Sequence, residues 1–209
     1  GNLKKIARSL RRKIDFSPRI SSILPMSVPD ALERMLRFRE EQGGNLNLAI
    51  NCNSTSETVR RELLGGADVM PLADAVRLIK KYPAGKNPVV LNFIAMKNAE
   101  VDMNILKSLD LDKERFLIRL SPLNRTKRAE QCGLSGFADD LGHIRALKGS
   151  LDTLGIPSDI GFTNRCEETG VCGGQVNGIK SEIMPVVFSL KERDKTGETI
   201  PPAVKKTQE

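Results

Sequence analysis

The sequence predicts an α/β fold on parallel strands, and three observations carry the prediction. Short segments rich in β-branched and apolar residues recur along the 209 residues, amphipathic helical patterns separate them, and most of these segments are apolar throughout rather than strictly alternating. Alternation of strand and helix generates right-handed βαβ units, and near-continuous apolar strands are expected where both faces of a parallel sheet are covered. Such units build an open sheet or part of a barrel. Five of them are too few to close a standard eight-stranded barrel.

In chain order, the predicted strands are PRISSILP (18–25), NLNLAINCN (45–53), PVVLNFIAM (88–96), RFLIRLSPL (115–123) and SDIGFTNR (158–165). Helical patterns lie between them. Residues 28–42 put Ala31, Leu32, Met35 and Leu36 on one face and stop at Gly43-Gly44. Residues 70–83 group Leu72, Ala75, Val76 and Ile79, with Leu78 at the margin, before Pro83. Residues 137–155 repeat Phe137, Leu141, Ile144, Leu147, Leu151 and Leu154 at three- and four-residue steps, with Gly155 as the C-terminal stop. An earlier pattern sets Leu3, Ile6, Leu10 and Ile14 toward a core and Lys4, Lys5, Arg8, Arg11, Arg12 and Lys13 toward water. Residues 1–190 are expected to form the folded portion, and 191–209, charged and interrupted by Pro201-Pro202, a tail with little fixed structure.

Composition narrows the function classes. A net charge of +7 suits a polyanionic partner such as RNA, but seven Phe, one Tyr and no Trp supply no basic-aromatic pattern for stacking on bases. No apolar run has the length of a membrane span, so no membrane is expected. The four cysteines are scattered and no secretory signal opens the chain, which points to a reducing, cytoplasmic setting. With only His143 beside Cys52, Cys132, Cys166 and Cys172, no metal site is assigned. No P-loop, GxGxxG, HExxH or GxSxG occurs.

Ligands of parallel α/β sheets sit at the carboxyl ends of strands. One strand leaves through Asn51, Asn53, Ser54 and Thr55, with Ser56 placed to cap the next helix. Its amides and hydroxyls suit a ribose or a carboxylate, and they equally suit turn and capping chemistry. Another ends in Ser121, Pro122 and Asn124, where an amide offers donor and acceptor together, followed by Arg125, Lys127 and Arg128, a basic loop.

The order LAINCNSTSETVRRELL, MPLADAVRLIKKYP, VVLNFIAM, FLIRLSPLN, a long helix and VCGGQVNG resembles the second half of the radical S-adenosylmethionine enzymes that methylate adenine C2 in ribosomal and transfer RNA, and their C8-methylating relatives. The resemblance spans about residues 18–178. It implies a partial (β/α) barrel lacking the first strands of a (β/α)6 barrel, with S-adenosylmethionine bound by Asn51, Cys52, Asn53 and Asn124. It further implies Cys172 as the thiol of methyl transfer, and Arg125, Lys127, Arg128 and Gln175 toward the RNA. The family's [4Fe-4S] cluster is held by CxxxCxxC, a spacing no cysteines have here, so a cluster is expected only from upstream polypeptide. That missing half, or a second copy of the chain, is the implied protein partner. The family's Ser-Leu-His is Asn51-Cys52-Asn53 here, and direct alignment of its terminal Cys-Gly-Gln puts Gly173 at the cysteine. These departures keep a second reading open: a degenerate barrel module that has lost the cluster and binds only a ligand or a protein.

Overall fold

A computed structural model of the chain describes residues 19–97, 99, 101–123, 127–137 and 140–161, with backbone alone at 127 and 128. All of them belong to one unit. The elements run β1 (Arg19–Ser22), α1 (Ala31–Glu41), β2 (Asn47–Asn51), α2 (Glu57–Leu63), α3 (Leu72–Lys80), β3 (Val89–Ala95), α4 (Met103–Ser108), β4 (Phe116–Pro122), α5 (Lys127–Gln131), α6 (Asp140–Thr153) and β5 (Ser158–Ile160). The five strands form one sheet in the order β1-β2-β3-β4-β5, every neighbouring pair parallel. Among the described residues, no helix is long and apolar enough to cross a membrane.

Strand order in sequence has a structural consequence. With each strand beside its predecessor and every crossover of one hand, the helices collect on one face, as in a barrel wall; a doubly wound sheet would instead reverse its order midway. Packing agrees. Leu48, Ile50, Leu91, Phe93, Phe116, Ile118 and Leu120 share one face and join a single core cluster with Leu32 and Leu36 of α1, Leu72, Ala75, Val76 and Ile79 of α3, Leu106 of α4, and Ile144 and Leu151 of α6. Along β3 the burial therefore alternates, Val89, Leu91, Phe93 and Ala95 buried and Val90, Asn92 and Ile94 half-buried. Among the described residues the helices lie on one face, and the second face of the run VVLNFIA mixes apolar and polar residues, Val90, Asn92 and Ile94.

Helix ends follow the local rules. After α1, Gly43 and Gly44 take φ of 62° and 76°, and their N–H groups return to the Glu40 and Arg39 carbonyls. After α6, Gly155 at φ 69° donates to the Asp152 carbonyl and Ile156 to that of Leu151, a Schellman closure with Ile156 and Leu151 both buried. Ser56 caps α2 as expected, its side chain accepting from the Val59 N–H.

Three expectations shift. The first strand stops at Ser22, because Leu24 adopts φ 58° and Pro25 turns away to bridge Val69. Residues 127–131, expected as part of a basic loop, form a short helix. Leu141 and Leu154 are exposed although their spacing fits the core face of α6. They mark the ends of that stripe, which overhang the sheet, while Ile144 and Leu151 at its centre are buried. The basic pattern at 3–14 and the tail at 191–209 lie outside the described residues.

Candidate binding site on the inner sheet face

Strand register places one polar row across the face that carries no helix among the described residues. Asn51 of β2 stands opposite Asn92 of β3, Asn92 opposite Arg119 of β4, and Arg119 opposite Asp159 of β5. Register partners in parallel strands point to the same side, so these four side chains share a face over about 14 Å of sheet. Beneath them, toward the strand amino ends, lie Ala49, Val90 and Leu117; above them, Ile94 faces Ser121. Asn51 ends β2, whereas Asn92 and Arg119 sit midway along β3 and β4, so the row crosses the middle of the sheet and reaches a carboxyl end only at β2.

The row is wired together. The Ser121 hydroxyl donates to Asn92 Oδ1 at 3.1 Å, and Asn92 Nδ2 donates to Asn51 Oδ1 at 3.3 Å. This chain turns the Asn51 amide so that its NH2 group, which has no partner among the described residues, is the free donor at the end. At the other end Arg119 grips Asp159 with two parallel bonds, Nε to Oδ1 at 3.0 Å and Nη2 to Oδ2 at 2.7 Å. The carboxylate raises the Arg119 pKa, against a smaller lowering from burial, and holds the guanidinium firmly charged. Gly161 follows β5 and donates its N–H to the Leu120 carbonyl at 2.8 Å. A Cβ there would meet the Ser121 hydroxyl and crowd the Arg119 stem, so a side chain at 161 would displace the hydroxyl that holds Asn92.

The exit of β2 is rigid. Both Cys52 and Asn53 donate their N–H groups to the Asn92 carbonyl, at 2.8 and 3.2 Å, and Asn53 then takes φ 63°, a conformation asparagine tolerates better than most residues. Below the turn, the fully buried Arg60 of α2 donates from Nε to the Cys52 carbonyl (3.1 Å) and from Nη1 to the Met70 carbonyl (3.2 Å) and to Glu57 (2.6 Å). Glu57 in turn accepts from the Leu72 N–H at 2.7 Å, joining α2 to the start of α3. Thr55 accepts from the Asp102 N–H at 2.9 Å, and Asp102 caps α4. One buried guanidinium therefore braces the strand-end turn and two helix starts.

The predicted site residues separate on this geometry. Asn51 faces the polar row, and Asn53 forms the turn above it. The Cys52 side chain points the other way: it is fully buried in the core, its thiol 3.6 Å from the Ile50 carbonyl. Burial pushes that thiol up to about 12, despite the opposing charge of Arg60, so it is protonated and shielded. Ser54 and Thr55, expected as exposed hydroxyls, are buried; the Ser54 side chain accepts from the Ser56 N–H and Thr55 joins Asp102, so the turn-chemistry alternative describes them. Asn124, Arg125, Cys172 and Gln175, and the side chains of Lys127 and Arg128, lie outside the described residues.

Sequence reasoning missed Asn92, Arg119 and Asp159. Asn92 and Arg119 are polar residues at half-buried positions of mainly apolar strands, and that signal was present: asparagine inside VVLNFIA and arginine inside FLIRLSP are costly unless partnered, whereas Asp159 in the short strand SDI gave no such signal. The lone His143 performs no site chemistry; its ring stacks on Phe137 with centroids 3.6 Å apart.

An iron-sulfur cluster does not fit the described residues. Cys52 is buried and Cys132 exposed, both are free, and no group of three His, Cys, Asp or Glu is arranged to hold a metal. The inner row presents an amide donor at Asn51 and a guanidinium-carboxylate pair at Arg119 and Asp159.

Taken together, these features define an α/β protein with a barrel-wall sheet crossed by a polar row. No known protein family and no curated protein matches the chain. Among solved structures it is similar to a radical S-adenosylmethionine methyltransferase from Sphaerobacter thermophilus, with a TM-score of 0.53 and 17% identity, over 75% of this chain and 43% of that one. The chain therefore spans less than half the length of that protein, and the likeness is one of fold.

Proposed function

We propose that this chain is the C-terminal part of a radical S-adenosylmethionine methyltransferase and binds S-adenosylmethionine along the polar row that crosses its sheet. The observation that carries the reading is the wired line of Asn51, Asn92 and Ser121 on the open face, in a fold similar to that of such a methyltransferase. In this reading Asn51 donates to an acceptor of the ligand, Asn92 and Ser121 fix that amide's direction, and Arg60 holds the turn so that Asn53 backs it. The bound cofactor supplies the methyl group to be transferred. A cluster would have to be held by polypeptide beyond these residues, and a cluster-bearing half or a second copy is the protein partner this reading carries. Its most specific form is an RNA adenine methyltransferase, with Cys172 as the accepting thiol, Asn124 at the cofactor, and Arg125, Lys127, Arg128 and Gln175 toward the RNA. The net charge of +7 supports a polyanionic substrate.

Titration calorimetry of the chain with S-adenosylhomocysteine tests the binding step. Binding that weakens about tenfold in Asn51→Ala, the equivalent of roughly 1.4 kcal/mol, is the expected result; absence of binding to the chain, alone or joined to a cluster-bearing half, overturns it. In the joined enzyme, Cys172→Ala is expected to abolish methyl transfer to RNA while S-adenosylmethionine is still consumed. Unchanged methylation removes the thiol role.

The second reading, a binding module without catalysis, is favoured by one feature: the strand-end triplet Asn51-Cys52-Asn53 places its thiol in the core and keeps only amides for a ligand. Ligand binding without turnover in any joined complex selects it.

A further inference from the structure

Two loops meet at the amino-terminal ends of β2 and β3, residues 42–46 after α1 and 81–88 after α3. The Lys86 N–H donates to the Gly44 carbonyl at 3.2 Å, and the backbones approach so closely that a Cβ on Gly44, whose φ is 76°, would lie 3.0 Å from the Lys86 nitrogen. Among the described residues they frame a cleft of about 380 Å³, lined by Arg39, Glu40, Gly43, Tyr82, Gly85 and Lys86 among others. Arg39 is its unusual member. Only 4% of that residue is exposed, and its guanidinium occupies the space that a Cβ on Gly85 would fill. Its one hydrogen bond among the described residues runs from Nη2 to the Asn87 carbonyl, and Nε is buried with no partner. No carboxylate answers the charge: burial lowers the Arg39 pKa and no neighbouring group raises it. Arg60, the other deeply buried guanidinium, is treated differently, with Glu57 and two carbonyls around it. A charge held this deep without a counter-ion is costly unless an anion shares its site.

We propose that this cleft binds the phosphate group of a small molecule. Arginine carries five N–H donors in a planar fork, and the protein engages only one end of it, leaving Nε and Nη1 for paired bonds to two oxygens of one anion. Lys86, exposed at the rim, adds a second cation on a flexible stem that reaches over a bound group. Two cations, one recessed and one mobile, suit a dianionic phosphate ester better than a singly charged carboxylate. Glu40, exposed on the same rim, opposes them. The volume falls in the range of small-ligand clefts, about 300–1,000 Å³, so the phosphate need not enter alone. Asn51 lies at the carboxyl end of β2 and this cleft at the amino end, so the site does not depend on the ligand of the polar row.

Titration calorimetry of the full chain with inorganic phosphate at pH 8, with chloride balancing the ionic strength, is expected to show saturable binding at one site. The Arg39 Nε–H resonance is expected to shift over the same concentrations. Arg39→Gln, and Gly85→Ala, whose methyl group pushes the guanidinium aside, are each expected to weaken binding about tenfold. Lys86→Gln should weaken it less and Glu40→Gln should tighten it; both positions are exposed, so these two variants carry the test even if Arg39→Gln fails to fold. Absence of saturable binding would show that water or another part of the chain serves the guanidinium, and it overturns the proposal. So does binding that neither Arg39→Gln nor Gly85→Ala changes. An RNA oligonucleotide without a terminal phosphate is expected to leave the Arg39 resonance in place. A shift with that RNA and none with inorganic phosphate would make the cleft part of a nucleic-acid surface and would equally overturn it.

Discussion

The two faces of the sheet are made from alternate residues of the same strands and obey different rules. On the helix side, Leu91, Phe93, Ile118 and Leu120 are wholly buried and carry no polar atom beyond the backbone. On the inner side, one residue along in each strand, Asn92, Arg119 and Ser121 are half-buried and bonded across the strands, Ser121 to Asn92, Asn92 to Asn51 and Arg119 to Asp159. A residue that only has to fill space is apolar and touched on all sides. Those on the inner side keep their polar groups wet on one side and held by neighbours on the other, the condition under which a ligand can replace water. The difference therefore separates what holds the fold from what is available to bind.

The largest expected effects fall on the helix side. Phe93→Ala removes a fully buried ring between strands and helices and is expected to cost about 3–5 kcal/mol, read from the denaturant midpoint. Arg60→Ala leaves the Cys52 and Met70 carbonyls without their shared donor, while half-exposed Glu57 can take water in its place, and is expected to cost about 1–3 kcal/mol. If Arg60→Ala unfolds no more easily than the parent, the guanidinium is not the brace of the strand-end turn.

Cys52 sharpens the contrast through pH. An unfolded thiol titrates near 9 and the folded one near 12, so between those values the folded chain holds a proton that the unfolded chain has released. Stability is then fully present below pH 9 and falls as pH rises toward 12, by up to about 1.4 kcal/mol per pH unit in mid-window. Cys52→Ala is expected to flatten that slope in urea titrations at pH 8 and pH 10.5. Iodoacetamide at pH 8 is expected to modify Cys132 and spare Cys52 in the folded chain.

How much of this was legible in the sequence depends on what each residue answers to. Strand positions, the three long helices and the glycine stops follow local rules, and the buried stripe Leu72, Ala75, Val76 and Ile79 emerged as its spacing predicts. The site was only half legible. Asn51 and Asn53 follow a strand and were visible as a polar end, but the partners that aim Asn51 arrive from β3 and β4, 41 and 70 residues later, and register alone joins them. Cys52 shows the limit most plainly. Asn51 before it faces the polar row and Asn53 after it forms the turn, yet the two-residue period of a strand sends its thiol into the core.

The smallest expected effect on stability is the most informative about the inner face. Asn92→Ala removes a carboxamide that accepts from Ser121 and donates to Asn51, two bonds at a half-buried position, and each such bond contributes on the order of 1 kcal/mol or less where water can take its place. The unfolding midpoint should therefore move far less than in Phe93→Ala, although the two residues are neighbours in sequence. Affinity for S-adenosylhomocysteine should fall nonetheless, because the freed Asn51 amide is able to rotate and offer its oxygen where the ligand needs a donor. Asn92→Asp separates direction from bulk: an ionised carboxylate in that place accepts from Ser121 but has no N–H for Asn51. It should weaken binding at least as much as alanine. Were Asn92→Ala to cost as much stability as Phe93→Ala and leave affinity untouched, the inner row would be a second core rather than a binding surface.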